Sequence, residues 1–286
     1  MQHERVAENI YFFQSEIYAQ VTAGVVLGPD MAVVIDTLAL PEETLELRRF
    51  INRELKVPVR YLINTHYHAD HTWGNSFFPE AIVVAHSLCY DLLKTRGQAS
   101  LDKEKESNPP MRDIKIVLPQ LTFDEGEITL LVGKKTLRIF PLPGHSPDSI
   151  AVHIEEDRVL FSGDTFMPLP YLADGDIEET ITSLKKIAKM GLENLVPGHG
   201  DIILRGEIQS SIKSNLDYLS EIRKAVRKAS RLKYPLDLLD TIKVDDVGKS
   251  RVLIGGMAEQ LHKINLAALY QYYYDEAPVG SEVFYE

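Results

Sequence analysis

The densest chemistry in the chain lies in Asn64-Thr65-His66-Tyr67-His68-Ala69-Asp70-His71, where four potential metal ligands fall within six positions. Three imidazoles and a carboxylate so close together would compete for space and hydration in an apolar core, whereas a divalent cation gives them a common partner. A bare His-x-His pair is a weak signal; His-x-His-x-Asp-His is a specific one. Three further candidates follow, each beside Gly or Pro: His145 in Pro143-Gly144-His145-Ser146-Pro147, Asp164 in Ser162-Gly163-Asp164-Thr165, and His199 in Pro197-Gly198-His199-Gly200. Together His66, His68, Asp70, His71, His145, Asp164 and His199 exceed the needs of one zinc, which takes four ligands in a closed site or three plus water in a catalytic one. They suit two ions with a shared carboxylate. Such a pair, roughly 3.5–4 Å apart, can lower the pKa of a water between them, polarise an electrophile and stabilise a leaving group.

Each candidate lies at or just past a predicted strand end. The apolar run Val59 to Ile63 delivers the first motif. Before it, strands are expected at Ile10 to Phe13, Ala19 to Leu27 and Met31 to Ile35, with Gly28-Pro29-Asp30 as a turn. A helix opened by Pro41 and closed by Pro58 follows, with Leu47, Phe50, Ile51 and Leu55 at helical spacing. Further strands are predicted at Ile82 to Ala85, Ile128 to Val132, Thr136 to Phe140, Ile150 to Ile154, Arg158 to Phe161 and Asn194 to Val196. A helix from Ser87, as N-cap, to Leu93 follows the first of these. Asp176 and Glu179 form a capping pair for a helix ending near Gly191. Residues 97–112 are polar, charged and without sustained periodicity, and read as a long surface loop. An apolar stripe from Ile208 to Val226 marks a core-facing helix, and a last helix is expected from Met257 to Tyr274. The order is that of one α/β domain over residues 1–286, with 205–286 as a mainly helical extension packed on it. Loops at strand ends suit chemistry, because the strands fix position and the loops escape the ladder.

Composition narrows the classes. The 286 residues are 44% hydrophobic and 26% charged, with 42 acidic against 31 basic residues and a net charge of -11. No Lys/Arg block stands out, which argues against nucleic acid as partner. Cys89 is the single cysteine, so neither an intrachain disulfide nor a zinc-thiolate cluster can form, and any metal must be held by His and carboxylates. No apolar run approaches the ~20 residues of a membrane span, and the first residues lack a signal-peptide pattern, so a cytoplasmic protein with a small-molecule substrate is expected. The tyrosines at 270, 272, 273 and 274 suit either core or a subunit contact, which leaves a homo-oligomer open. His262 reads as packed between helices rather than as a donor to substrate, and His3, His86 and His153 as structural.

Thr65-His66-Tyr67-His68-Ala69-Asp70-His71, Gly144-His145-Ser146-Pro147, Ser162-Gly163-Asp164-Thr165 and Pro197-Gly198-His199-Gly200 stand in the order found in the metallo-β-lactamase superfamily, which the chain resembles over about residues 10 to 200. The resemblance implies a four-layer αββα sandwich with the site along one edge of the sheets. It implies that His66, His68 and His145 hold one metal, Asp70, His71 and His199 a second, and that Asp164 bridges both. The implied activity is that of a dinuclear hydrolase whose metal-bridging hydroxide attacks a small ester, thioester, lactone or amide. Asp70 orients the nucleophile, and Asp70 and Asp164 are its catalytic carboxylates. Zinc is the first choice, with iron or manganese accepted by the same ligand types. Members specialised for β-lactams typically lack the bridging aspartate, so Asp164 resembles the thioesterase, lactonase and phosphodiesterase branches. A mononuclear iron oxygenase similar to the persulfide dioxygenases, or a phosphodiesterase, is the alternative.

Overall fold

Alternation along the central strands sets the layering. In Ala32–Ile35, Val33 and Ile35 enter one apolar cluster and Ala32 and Val34 another. A strand buried on both faces must have a layer on each side. The computed structural model describes residues 1–274; residues 275–286, the end of the expected helical extension, lie outside the described residues.

The first sheet follows chain order: Gln2–Ala7 (β1), Ile10–Gln14 (β2), Thr22–Leu27 (β3), Ala32–Ile35 (β4), Val59–Ile63 (β5), Ile82–His86 (β6) and Leu121–Phe123 (β7). β1 to β4 form an antiparallel meander, and β4 to β7 are parallel. Parallel neighbours need crossovers. The helix Pro41–Phe50 (α1) supplies the first; Ala69–Thr72 (α2) lies in the second, and Ser87–Leu92 (α3) and Gln98–Ser107 (α4) in the third. The second sheet contains Ile128–Val132 (β8), Lys135–Pro141 (β9), Ile150–Ile154 (β10), Val159–Phe161 (β11), Asn194–Val196 (β12) and Ile203–Leu204 (β13), ordered β13-β12-β11-β10-β9-β8. Among the described residues its only parallel pair is β11 with β12, across the crossover helix Ile177–Ala188 (α5).

Between the sheets, Ile10, Phe12, Val26, Ile35 and Ile63 meet Leu137, Ile139, Ile150, Val152 and Phe161. The outer face of the first sheet packs on Leu47 and Ile51 at the end of α1. The outer face of the second packs on α5 and on Arg205–Ala229 (α6), Pro235–Thr241 (α7) and Ala258–Tyr274 (α8), through Leu184, Ile212, Tyr218, Leu219, Ile222 and Leu266. The result is the αββα sandwich expected from the motifs. No helix among the described residues is long and apolar enough to cross a membrane.

Residues 97–112 correct the expectation of a loop. α4 covers Gln98–Ser107 and a 3-10 helix covers Pro109–Asp113. Leu101, Met111 and Ile114 bury against Trp73. Three widely spaced anchors suffice because the intervening residues are good helix formers, so no broad apolar stripe is needed. The helix after β6 is capped by His86, whose Nδ1 accepts from Leu88 N–H at 3.2 Å, rather than by Ser87. β1 escapes the sequence pattern because it is an edge strand whose Gln2, His3, Glu4 and Arg5 are all exposed.

Candidate metal centre

β4, β5, β11 and β12 all end at one edge of the sandwich, and the two sheets are joined there. Ile150 N–H donates to Thr65 C=O at 2.8 Å, Thr22 N–H to Gly198 C=O at 2.9 Å, and the Thr22 hydroxyl to Pro197 C=O at 2.6 Å. These bonds bring the loops after strands of both sheets into register. Gly198 is required there: a Cβ would run into the Asp164 carboxylate. Gly163, at φ +50°, likewise leaves no room for a Cβ, which would stand 2.6 Å from Thr65 Oγ1.

All seven candidate ligands converge. His66, His68, His145 and Asp164 form one group and Asp70, His71 and His199 another, with the ligand atoms of each group within 4.8 Å of one another. Asp164 faces both. Its Oδ2 is 3.4 Å from His145 Nε2 and 3.3 Å from His199 Nε2, and its Oδ1 is 3.3 Å from His71 Nε2. Asp70 Oδ2 is 3.3 Å from His199 Nε2. His68 Nδ1 lies 3.0 Å from His66 Nε2 and 2.9 Å from His145 Nε2.

What each ring does with its outer nitrogen fixes what the inner one can do. Asp36 Oδ2 lies 2.9 Å from His71 Nδ1, Ala19 C=O 2.8 Å from His199 Nδ1, and Tyr171 C=O 3.3 Å from His145 Nδ1. Asp174 Oδ2 lies 3.3 Å from His68 Nε2. The Thr65 hydroxyl donates to Asp36 Oδ2 at 2.7 Å, so it accepts from His66 Nδ1 at 3.1 Å. The tautomers assigned from these partners put N–H on all five outer nitrogens. Once His71 and His199 give up their second protons, five lone pairs and two carboxylates point into one small buried volume. His71 Nε2 and Asp164 Oδ1 are buried there without a hydrogen-bond partner. Such a donor set fits divalent cations of the His- and carboxylate-binding kind, and nothing in it requires thiolate.

The electrostatics of the metal-free site agree. Burial, with neighbouring His71 adding to it, drives His66 well below the ordinary imidazole value, and burial takes His145 down to about 4. For His199 burial also opposes charge, but Asp164 and Asp70 outweigh it and raise the ring to about 10. His71 is raised well above its usual value, against burial, by Asp164, Asp70 and Asp36. Asp70 resists its own burial and falls to about 2 because of His71 and His199. Protons on His71 and His199 thus stand where cations would balance the carboxylates.

The site opens into a cleft of about 810 Å³, a size suited to a small molecule. Tyr67, Trp73 and Tyr171 line it, as do Tyr18, Arg96, Met167, Ile254, Met257 and Leu261. His262 does not: it is buried on the face of α8 that packs on α6, with Nδ1 3.0 Å from Tyr218 Oη. His153 is on β10 and His3 on the edge strand β1, both away from the cleft. Sequence reasoning missed Asp36 and Asp174, the carboxylates that orient His71 and His68. The only hint of Asp36 in the sequence was its place just after an apolar strand; in the structure it adopts φ 57°, a left-handed conformation that Asp tolerates better than most residues. Asp174 had no local signal, and its partners Tyr67 and Arg96 are distant in sequence.

The family profile described as "Metallo-beta-lactamase superfamily" matches residues 18–199. A Homo sapiens protein described as acyl-coenzyme A thioesterase MBLAC2 is 28% identical over 225 residues, 69% of this chain and 80% of that protein. The beta-lactamase-like protein 2 homolog of Caenorhabditis elegans is 27% identical over 146 residues, 51% of this chain. The chain spans only 43% of that relative's length, and 48% of the lactamase-like protein nscB of Trichophyton equinum. Among solved structures, a metallo-beta-lactamase from Pontibacter korlensis superposes with a TM-score of 0.61 at 21% identity, covering 74% of this chain and 97% of that one. The sec-alkylsulfatase Pisa1 from Pseudomonas sp. gives 0.72 at 15% identity, over 96% of this chain and 50% of that one. At these identities the structures speak for the fold. With the profile covering well over half of its length, the chain belongs to the metallo-beta-lactamase superfamily.

Proposed function

We propose that this chain is a metal-dependent hydrolase that uses activated water to cleave a small ester, thioester, lactone or amide, with a thioester as the first choice. The observation that carries the reading is the set of five inward-facing ring nitrogens, each fixed by a partner on its other nitrogen, around Asp70 and Asp164. The human relative described as an acyl-CoA thioesterase supports the thioester. His66, His68 and His145 would hold one divalent ion, Asp70, His71 and His199 a second, and Asp164 both; zinc is our first choice for each. Bound there, the ions would supply a water of lowered pKa and a Lewis acid for the electrophile.

The chain's own residues then do the rest. Asp70, at the cleft wall, can accept a hydrogen bond from the attacking water and so aim it, its own carboxyl being held ionised by His71 and His199. Trp73, Met167, Tyr171 and Leu261 exclude bulk water from the cleft floor and walls. No serine is needed as nucleophile: Ser146 donates to Asp148 Oδ1 at 2.7 Å and lies 2.8 Å from Ser149 Oγ, and Ser162 donates to Gly163 C=O at 3.0 Å, so these hydroxyls order the loops. We also take residues 1–286 as one working unit, because helices from the 205–286 region form part of the cleft wall.

The test is metal analysis of protein purified without added metal, run beside a panel of thioester, lactone, β-lactam and phosphodiester substrates. About two zinc per chain with thioester or ester hydrolysis supports the reading. One iron per chain with oxygen consumption on a sulfur substrate would replace it with the oxygenase alternative.

A further inference from the structure

Arg96, Ser100 and Lys103 follow one another at i, i+4 and i+7 along the continuous helical stretch that runs from a π-turn (Leu93–Gly97) into α4, and all three line the cleft. Arg96 and Lys103 are exposed, and most of their donors meet no acceptor among the described residues. Arg96 uses Nη1 on Asp174 Oδ1 at 2.9 Å and on Tyr67 Oη at 3.5 Å, while its Nε and Nη2 bond to none of the described residues. Lys103 forms no ion pair or hydrogen bond with any described residue. Ser100 Oγ is buried without a partner, and so is the indole Nε1 of Trp73, which lines the same cleft and packs with Leu101 of α4. The nearest carboxylates of the helix are engaged elsewhere: Asp102 accepts from Gln98 at 2.8 Å and Glu104 from Asn108 at 2.9 Å.

Ser100 Oγ and Trp73 Nε1 are the buried donors, and buried donors are normally matched, so their acceptor should arrive with the ligand, while the exposed Arg96 and Lys103 beside them set its charge. In a chain of net charge -11, two cations and two unmatched neutral donors on one wall of the cleft select an anion. The span from Arg96 to Lys103 is about 10 Å along the helix, too long for one carboxylate and suited to an extended, multiply charged group. Guanidinium and ammonium together suit phosphate oxygens. The C-terminal contribution to the wall, Ile254, Met257 and Leu261, is instead apolar.

We propose that Arg96, Ser100 and Lys103 form a subsite for a phosphorylated leaving group, so that the substrate is an acyl thioester of a phosphorylated thiol with its acyl chain toward Ile254, Met257 and Leu261. This rests on the thioester-hydrolase reading. In the reaction the oxygen of water bonds to the acyl carbon and the C–S bond breaks. Its electron pair leaves with the phosphorylated thiol, which takes up a proton released by the water.

The test uses the metal-loaded full chain. Hydrolysis of an acyl-coenzyme A is compared with that of the same acyl group on N-acetylcysteamine, a neutral thiol. The expected ratio of kcat/KM favours coenzyme A at least ~10-fold; Lys103→Gln combined with Ser100→Ala lowers that ratio about tenfold through KM, and Lys103→Arg preserves it. Calorimetry with free coenzyme A and with pantetheine, which lacks its phosphates, reads the subsite without any hydrolysis. If neither thioester is cleaved but coenzyme A binds more tightly than pantetheine and the double variant removes the difference, the subsite stands and the thioester reading falls. Equal binding of the two thiols, or a ratio unmoved by the double variant, overturns the subsite. A Lys103-dependent preference for a carboxylated acyl chain, with none for coenzyme A, overturns the assignment to a phosphorylated leaving group.

Discussion

Asp36 Oδ2 sits 2.9 Å from His71 Nδ1, and the same carboxylate accepts from the Thr65 backbone N–H at 2.8 Å and the Thr65 hydroxyl at 2.7 Å. One buried side chain on the loop after β4 thereby fixes both the tautomer of a candidate ligand and the residue just before the His-x-His-x-Asp-His motif. Asp36→Ala should weaken metal binding roughly 10–100-fold. It also leaves buried donors unmatched, at about 1–3 kcal/mol each. Competition against a chromophoric chelator measures the first effect and denaturant unfolding of the metal-free protein the second. Wild-type affinity in a folded Asp36→Ala protein would show that His71 is oriented by something else.

Asp164 faces His71, His145 and His199 at 3.3–3.4 Å, so on the two-ion reading its loss removes the shared ligand. Asp164→Ala should bind fewer ions per chain and lose on the order of a hundredfold or more in hydrolytic rate. Gly198→Ala should resemble it, because the added methyl displaces the Asp164 carboxylate. Metal content and steady-state kinetics of the two variants give the comparison; full activity in purified Asp164→Ala would rule out the bridging role.

Metal uptake should release protons. In the metal-free site His199 holds its proton up to about pH 10 and His71 is raised well above its ordinary value, so both are protonated at pH 7 and both must deprotonate to become ligands. His66 and His145, with lowered values, have no proton to lose there. Between about pH 7 and 9 the apparent affinity should therefore rise with pH, with roughly two protons leaving as the site fills. Calorimetric titration in buffers of different ionisation enthalpy counts them. No proton release at pH 7 would contradict the charge balance described for the metal-free site.

Asp176 caps α5 by accepting from Glu178 N–H at 2.7 Å and Glu179 N–H at 2.9 Å, and its second oxygen accepts from the Tyr272 hydroxyl of α8 at 2.9 Å. Asp176→Ala should cost about 1 kcal/mol, a fall in Tm of roughly 2–4 °C for a chain of this size. Asp176→Asn should recover most of it. A thermal unfolding series of the three proteins decides whether the cap or something more remote matters.

The sequence made the candidate ligands and the strands beneath them legible because those signals are local. β5, β8, β10 and β12 are apolar runs bounded by turn residues, and the seven candidate ligands sit in four short motifs, three of them beside Gly or Pro. The αββα layering followed from the family resemblance, and the burial of β4 on both faces bears it out. Asp36 and Asp174 were illegible because their meaning depends on His71, 35 residues on, and His68, 106 residues back. α4 was hidden for a related reason: its single buried residue, Leu101, finds its partners Trp73, Met111 and Ile114 only in three dimensions.

Lys249 supplies a pH dependence separate from the metal centre. Its ammonium is nearly buried and donates to Asn215 Oδ1 at 2.6 Å and Pro168 C=O at 2.8 Å, bracing the loop after Asp164 from the helical side. Burial lowers its pKa from 10.5 to about 8. Below pH 8 both folded and unfolded chains carry the proton, and the folded state bears the cost of a buried charge. Between about pH 8 and 10.5 the unfolded chain still binds the proton and the folded one does not, so this group makes stability rise with pH across that window, by up to roughly 3 kcal/mol. Lys249→Met removes the titration along with the two hydrogen bonds. Its stability relative to wild type should therefore be best at pH 7 and worsen steadily toward pH 10. Denaturant unfolding of both metal-free proteins at half-unit pH intervals reads the difference directly, and a difference that stays flat across the window would mean that Lys249 titrates at its ordinary value.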